Sequence, residues 1–408
     1  MAHLTLSLRS ARRLAVMCQH LAGPRPGGDL EGLRQVLRRL RCLQLDPINA
    51  VARSHLLVLW SRVGHFDPAD LDVLLWRERW LFEYWAHAAS IVLAEDYPIH
   101  HYLMRRYGAG QSAYSKMVGD WLRDNDALRG HVLDRLREKG PLPPAGFDDL
   151  AAVPWKSTGW TNGRNVDRML DFLWCQGHVM VAGRQGRTRH WDLAERCLPE
   201  QARAEPLPTE QVVALAAEHA LRALGVARPI DIERHFTRDR YPGLPEALDG
   251  LRRADRVVPV TVEGGDEPWY AHRDALALLE RDEWEPHTTL LSPFDNLICD
   301  RERTARLWGF VFRTEMYIPR HKRQYGHYVM PILHGDRLIG RLVPKVDRRR
   351  GVLEVEGVFP EAEMETADES TVRSVGRAVA ELGAFAGARE VAYGEKVPDR
   401  WRPHLVTG

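Results

Sequence analysis

Long apolar runs are missing from this chain. No stretch is apolar over the roughly 20 residues a membrane-spanning helix needs, and the amino terminus lacks the apolar core and small-residue cleavage site of a secretory signal. A cytoplasmic protein is expected. Cysteine is also scarce: Cys18, Cys42, Cys175, Cys197 and Cys299 are odd in number, scattered, and contain no CxxC pair. That argues against a disulfide framework and against a structural zinc site. There is no GxGxxG, no GxxxxGK[ST], no HExxH and no GxSxG in the required context, and His100-His101 has no partner at metal-ligand spacing. The chemistry left is that of a cofactor-free hydrolase or of a binder, with no metal expected.

The 408 residues, 44% apolar, suffice for two or three domains or for an assembly of repeated modules. A net charge of +1 conceals an uneven distribution. Arginines outnumber carboxylates in residues 1–60 and 301–350, while residues 354–369 are acidic. Basic faces suited to a polyanion are expected, with the acidic run elsewhere.

Apolar residues recur at helical spacing in residues 7–21 (Leu8, Ala11, Leu14, Ala15, Cys18, Leu21), and a second helix is predicted over 29–40 with Asp29 as its cap. Next comes Arg41-Cys42-Leu43-Gln44-Leu45-Asp46-Pro47. Read as a strand, this places Gln44 and Asp46 side by side on one face, with Leu43 and Leu45 turned into the core. A helix over 55–63 and strands over 81–85 and 90–93 follow.

The order of helix, strand, turn and returning strand then repeats. It is read at 166–175, 178–182, 183–186 and 189–193, and again at 244–253, 257–262, 264–268 and 269–272, with Trp191 and Trp269-Tyr270 on the returning strands. Between the first units lies a helix over 127–138 and then a linker-like Pro141-Leu142-Pro143-Pro144. Short strands over 328–333, 337–343 and 352–358, separated by HGD and RRRG turns, predict a small antiparallel barrel or sheet, closed by a helix over 370–385. The fold class expected is α+β: about three tandem winged-helix modules (1–107, 108–200, 201–288) and a β-rich C-terminal subdomain (289–408).

An amide and a carboxylate two residues apart form a water-holding pair. Hydrolysis of a glycosidic bond whose leaving group is already activated needs no proton donor for that group. What it needs is negative charge beside an oxocarbenium-like sugar and a positioned water, which a carboxylate supplies as base and counter-charge while an amide both donates to and accepts from the water. An Asp before Pro is otherwise commonly a turn residue, and a strand-borne Gln a satisfied polar group.

Five segments carry a resemblance: LQLDPINAVARSHLLVLWSRVG (43–64), LFEYWAHAAS (81–90), GRNVDRMLDFLWCQGHVMVAGRQG (163–186), LLSPFDNLICDR (290–301) and YGHYVMPILHGDRLIGRL (325–342). In order and over nearly the full length, the chain resembles the YcaQ/AlkX proteins and their relative AlkZ, tandem winged-helix DNA glycosylases that excise alkylated purines and unhook interstrand crosslinks. The resemblance implies that Gln44-Leu45-Asp46 is the catalytic motif. It places the chain with the YcaQ side, since AlkZ has a second glutamine where Asp46 stands. It further implies double-stranded DNA carrying N7-alkylpurines or crosslinks as the partner, no cofactor, and an open cleft, because a tethered base cannot enter a closed pocket.

Around the motif stand Asn49, Arg53 and His55, and later Tyr84, Trp85 and His87, as groups to clamp phosphate or stack on a base. Packing is the competing role for the aromatics. Arg184, Arg187 and Arg189 are expected to project from one hairpin turn onto phosphates, and residues 160–165, with Arg164 and Asn165, to offer amides to a phosphate at a helix amino end. The SPFDN turn at 292–296 has no assigned role beyond structure or site lining. A second reading, a winged-helix transcriptional regulator without catalysis, requires exposed recognition helices.

Overall fold

A computed structural model describes residues 4–110, 112–157, 162–200, 206–236, 241–265, 267–281 and 284–405. The chain divides into two compact units, one formed by Met1–Asp70 with Ala216–Gly408 and the other by Leu71–Leu215. Trp160 and Thr161, expected at a phosphate site, and Asp266, expected in a turn, lie outside the described residues.

In the first unit the chain opens with a strand that the sequence pattern did not announce, Leu4–Leu6, running parallel to Val257–Val262. Val257–Val262 pairs antiparallel with Trp269–His272, which pairs with Val226–Ala227. The Leu8–Met17 helix follows, capped by Ser7, whose side chain accepts from the Ser10 amide. Its spacing of three and four residues puts Ala11, Leu14 and Cys18 against Val226, Val260, Trp269 and Ala271. Ala15, Val16 and Leu21 instead meet Leu291, Ile298, Phe310 and Leu333. One helix thus joins two cores. The approach is close enough that a Cβ at Gly225, where φ is +74°, would lie 2.8 Å from the Leu14 carbonyl oxygen, so only glycine fits there.

The C-terminal strands form an open sheet of five, in the order Thr288–Leu290, Met330–His334, Arg337–Asp347, Val352–Pro360, Glu390–Lys396. The expected barrel does not close, because the first and last strands lie at opposite edges. Nor is the sheet wholly antiparallel: the Glu369–Phe385 helix carries the chain over before Glu390–Lys396 pairs parallel to Val352–Pro360. A parallel neighbour needs such a crossover, whereas a tight turn yields only an antiparallel one.

In the second unit Leu81–Trp85 and Ala89–Leu93 form a hairpin with Phe82 opposite Val92 and Glu83 opposite Ile91. Helices Tyr97–Arg106, Ala113–Asp124 and Asp126–Lys139 follow. The Asn165–Cys175 helix leads into a second hairpin, Val179–Gln185 with Thr188–Leu193. The expected linker at 141–144 is not free: Leu142 and Trp191 exchange both backbone hydrogen bonds, at 3.0 and 2.8 Å, which ties the proline-rich segment to the hairpin. The order of helix then hairpin expected from the repeat is present here and at Leu244–Arg253, Val257–Val262 and Trp269–His272.

Candidate active site

Asp29 accepts from the Gly32 amide at 2.8 Å and starts the Leu30–Leu40 helix, which stops when Arg41 takes a left-handed conformation (φ 64°). The chain reverses there into the strand Cys42–Gln44, with Cys42 and Leu43 fully buried. The strand ends at Gln44, two residues before Asp46, and Leu45, expected in the core, is only half-buried. Pro47 has no amide hydrogen to give a ladder, and Asp46 Oδ1 accepts from the Ile48 amide at 2.9 Å in a local turn. Asp46 therefore acts as the turn residue that an Asp-Pro pair suggests. Its second oxygen remains directed away from that turn, toward the Tyr317 hydroxyl, which donates to Oδ2 at 3.0 Å.

The backbone of the motif is held from two sides. Ser54 Oγ donates to the Gln44 carbonyl at 2.7 Å, and Asn296 Nδ2 donates to the Cys42 carbonyl at 2.9 Å and the Leu40 carbonyl at 3.5 Å. Asn296 belongs to the SPFDN turn, and its neighbour Asp295 does the second half of the work. Asp295 and Arg62, both without solvent exposure, form a two-pronged ion pair: NH1 reaches Oδ2, and NH2 reaches Oδ1 at 2.9 Å. The guanidinium also donates to the Gln19 carbonyl (3.1 Å), Gln19 Oε1 (2.8 Å), the Val58 carbonyl (3.0 Å) and Ser61 Oγ (2.8 Å). Arg62 lies on the Ser54–Val63 helix, which begins at the very Ser54 that caps Gln44. The turn without an assigned role is thus a structural brace behind the motif.

Beyond Asp46 the chain meets the tip of the Arg337–Asp347 and Val352–Pro360 hairpin. Arg348 donates to Asn49 Oδ1 at 3.0 Å and to the Val51 carbonyl at 2.8 Å, and the Val346 amide donates to the Ala50 carbonyl at 2.9 Å. A cleft of about 300 Å³ lies here, lined by Ile48, Asn49, Tyr328, Lys345 and Arg348 among others. Burial above all, and then the nearby Asp46 charge, push the Tyr328 phenol well above its ordinary value. Arg348, Arg349 and Arg350 are exposed. A half-buried carboxylate beside an exposed arginine tip can hold negative charge at a sugar while the cations hold the flanking phosphates. Arg53 is half-buried at the start of the Ser54–Val63 helix, and His55 is buried within it.

In the second unit the candidates separate into packing groups and surface groups. Tyr84 is buried, donating to the Cys175 carbonyl at 2.7 Å and meeting Trp174 edge-on, so it belongs to the core. Trp85 is 45% exposed and His87 half-buried. The three guanidiniums of the hairpin do not all project. Arg184 donates to both oxygens of buried Glu83, at 2.5 and 2.7 Å, while Arg189 lies over Trp174 and 3.4 Å from Asp171. A buried carboxylate must be paired, and these arginines pair it; Arg187 alone of the three is exposed. Asn165 likewise spends its amide internally, accepting from the Trp155 amide (2.8 Å) and donating to Asp149 (2.9 Å), whereas Arg164 before it is exposed.

Sequence reasoning missed Tyr317 and the return of Arg348 to Asn49, and it marked the turn that holds Asn296 as structural or site-lining without naming what it holds. The RRRG turn was visible in the sequence as a turn, but nothing local says that it returns to residue 49. Tyr317 sits in a stretch without periodicity and gave no signal.

A family model described as DNA glycosylase AlkZ-like matches residues 37–385. Among solved structures, the chain is similar to the Streptomyces sahachiroi DNA glycosylase AlkZ, with a TM-score of 0.67 at 15% identity over 97% of this chain and 100% of that one. At that identity the second likeness speaks to the fold alone.

Proposed function

The chain belongs to the AlkZ-like DNA glycosylase family, and from that premise we propose that it hydrolyses the N-glycosidic bond of N7-alkylated purines and unhooks interstrand crosslinks in double-stranded DNA, acting in repair in the cytoplasm. We read its modules as about three winged helices followed by the open C-terminal sheet. Asp46 activates water and stabilises the oxocarbenium-like sugar, and Gln44 orients that water. The cationic base leaves without a proton donor, since alkylation has already made it a good leaving group. Exposed Arg348, Arg349 and Arg350 hold backbone phosphates beside the lesion, and Arg187 and Arg164 do so on the second unit.

The observation that carries the reading is the Asp46 carboxylate, fixed by the Ile48 amide and the Tyr317 hydroxyl, on a segment braced by Asn296 and flanked by the arginine tip. A simple DNA binder has no use for a braced carboxylate among cations. The regulator reading also needs a helix free to enter a major groove. On Asn165–Cys175, residues Met169, Leu170, Phe172, Leu173, Trp174 and Cys175 are all buried, and the exposed face of Leu244–Arg253 carries Glu246 and Asp249 with Arg252 and Arg253, both arginines being paired to Asp249.

Release of N7-methylguanine from methylated duplex tests the proposal. Wild type is expected to release the base and Asp46→Asn is expected not to; a wild type that releases none contradicts it.

A further inference from the structure

Tyr317 is 68% exposed, an unusual position for an aromatic side chain on an otherwise well-anchored loop. The segment 309–328 contains only one short helical turn, Arg320–Lys322, yet it is firmly tied. Buried Glu315 accepts from the backbone amides of Gln324 (3.0 Å), Tyr325 (2.9 Å) and Gly326 (3.0 Å). The Ile318 amide donates to the Glu315 carbonyl at 3.0 Å, and Arg323 Nε donates to the Ile318 carbonyl at 2.8 Å. Met316, next to Tyr317, is buried. Gly326 closes the loop against Val343, where a Cβ would come within 2.6 Å of a methyl group. The loop therefore presents Tyr317 to solvent in one place, and that place is the Asp46 carboxylate.

Desolvation of its hydroxyl, then its bond to Asp46, raise the Tyr317 phenol above its ordinary value, so it is protonated and donates at neutral pH. A carboxylate offers roughly four lone-pair sites, of which the Ile48 amide and the Tyr317 hydroxyl take one each. Sites remain for the water. Two donors on different oxygens also fix the rotation of the carboxylate, which a single turn contact does not.

We propose that Tyr317 is a positioning residue of the glycosylase reaction, its phenol setting the orientation of Asp46 and its exposed ring forming the platform on which the damaged nucleotide stacks. The proposal rests on the glycosylase reading of this site. An aromatic face stacks on any base, so the platform supplies affinity for an extruded or partly unstacked nucleotide, and the phenol supplies alignment for the chemistry. The two parts of one side chain are separable by substitution.

The test is single-turnover release of N7-methylguanine by the full chain, with binding of methylated and unmethylated duplex and thermal melting measured on the same preparations of wild type, Asp46→Asn, Tyr317→Phe and Tyr317→Ala. Tyr317→Phe keeps the ring and is expected to slow excision by roughly 10-fold, the scale of one hydrogen bond to a charged group, with binding of either duplex unchanged. Tyr317→Ala is expected to slow it as much and, in addition, to weaken binding of the methylated duplex by about 10-fold, the scale of a lost stacking partner, with no change for the unmethylated one. Neither should shift the melting temperature, because the side chain is exposed; equal losses on both duplexes with lowered melting would mark a merely structural role and overturn the proposal. Excision by Tyr317→Phe at the wild-type rate, with Asp46→Asn inactive, overturns this inference and leaves the glycosylase reading standing. No excision by wild type overturns both.

Discussion

Removing the carboxylate of Asp295 should cost far more than its position in a turn suggests. Asp295 and Arg62 are both fully buried, and the guanidinium is satisfied by Gln19, Val58 and Ser61 as well as by the carboxylate. Asp295→Ala leaves a charge in the core without a counter-ion, a change that costs about 3–5 kcal/mol in comparable buried pairs. For a unit of this size each kcal/mol lowers the melting temperature by roughly 2–4 °C, so a fall of roughly 6–20 °C is expected. Arg62→Met should cost a similar amount, because it strands the carboxylate and the Gln19 groups. The double variant Arg62→Met/Asp295→Ala strands no charge and should cost no more than either single change. A coupling of about 3 kcal/mol follows for the cycle, at the upper end for groups in direct contact. The assay is thermal or urea unfolding followed by tryptophan fluorescence, with excision measured alongside, since the pair anchors the helix whose first residue, Ser54, holds the Gln44 carbonyl. Additive single effects, or an Asp295→Ala protein melting within 2 °C of wild type, would refute the brace.

Two further outcomes follow from the geometry. Arg349→Ala should weaken binding to any duplex and reduce the slope of log K against log salt by about 0.9, the value of one phosphate contact, whereas Arg348→Ala should also slow excision because Arg348 ties the hairpin to Asn49 and Val51. A second concerns acid stability. Burial opposes charge on Glu218, but the hydrogen bond with His272 and the guanidiniums of Arg222 and Arg256 outweigh it and hold the carboxyl down at about 2, against an ordinary 4.5. A carboxyl depressed on folding contributes stability that is complete above its unfolded value and lost as pH falls through the folded one. Melting curves of wild type should therefore fall between pH 4.5 and 2 by on the order of 1–2 kcal/mol more than those of Glu218→Gln, solvent screening allowed for. Identical acid profiles would contradict the assignment.

What the sequence announces is what neighbours along the chain decide. Asp29 caps the helix it was read to cap, and the strands read over 81–85 and 90–93 lie in the observed hairpin of Leu81–Trp85 with Ala89–Leu93. Asp46 shows the limit of a periodic reading: Pro47 ends the strand and turns the carboxylate back onto the Ile48 amide, so that the strand and turn readings each hold for part of the segment. The brace was invisible because its partners are 233 residues apart, and a conspicuous turn motif carries no mark of what it holds. The hairpin arginines failed for the opposite reason. Their charge was plain, but the buried Glu83 that draws Arg184 inward reads in sequence as one polar residue of LFEYW. The parallel last strand depends on where a 17-residue helix sets the chain down, which packing decides and local pattern does not.

The central claim is that Asp46, oriented beside Gln44, carries out hydrolysis on DNA that the rest of the chain binds. The most direct measurement is unhooking of a nitrogen-mustard crosslinked duplex by wild type, Gln44→Ala and Asp46→Asn, with the affinity for that duplex determined for each. The account predicts unhooking by wild type, its loss in Asp46→Asn, a deep reduction in Gln44→Ala, and unchanged affinity throughout. Unhooking by Asp46→Asn at the wild-type rate, or a wild type that binds the duplex and leaves the crosslink intact, would contradict it.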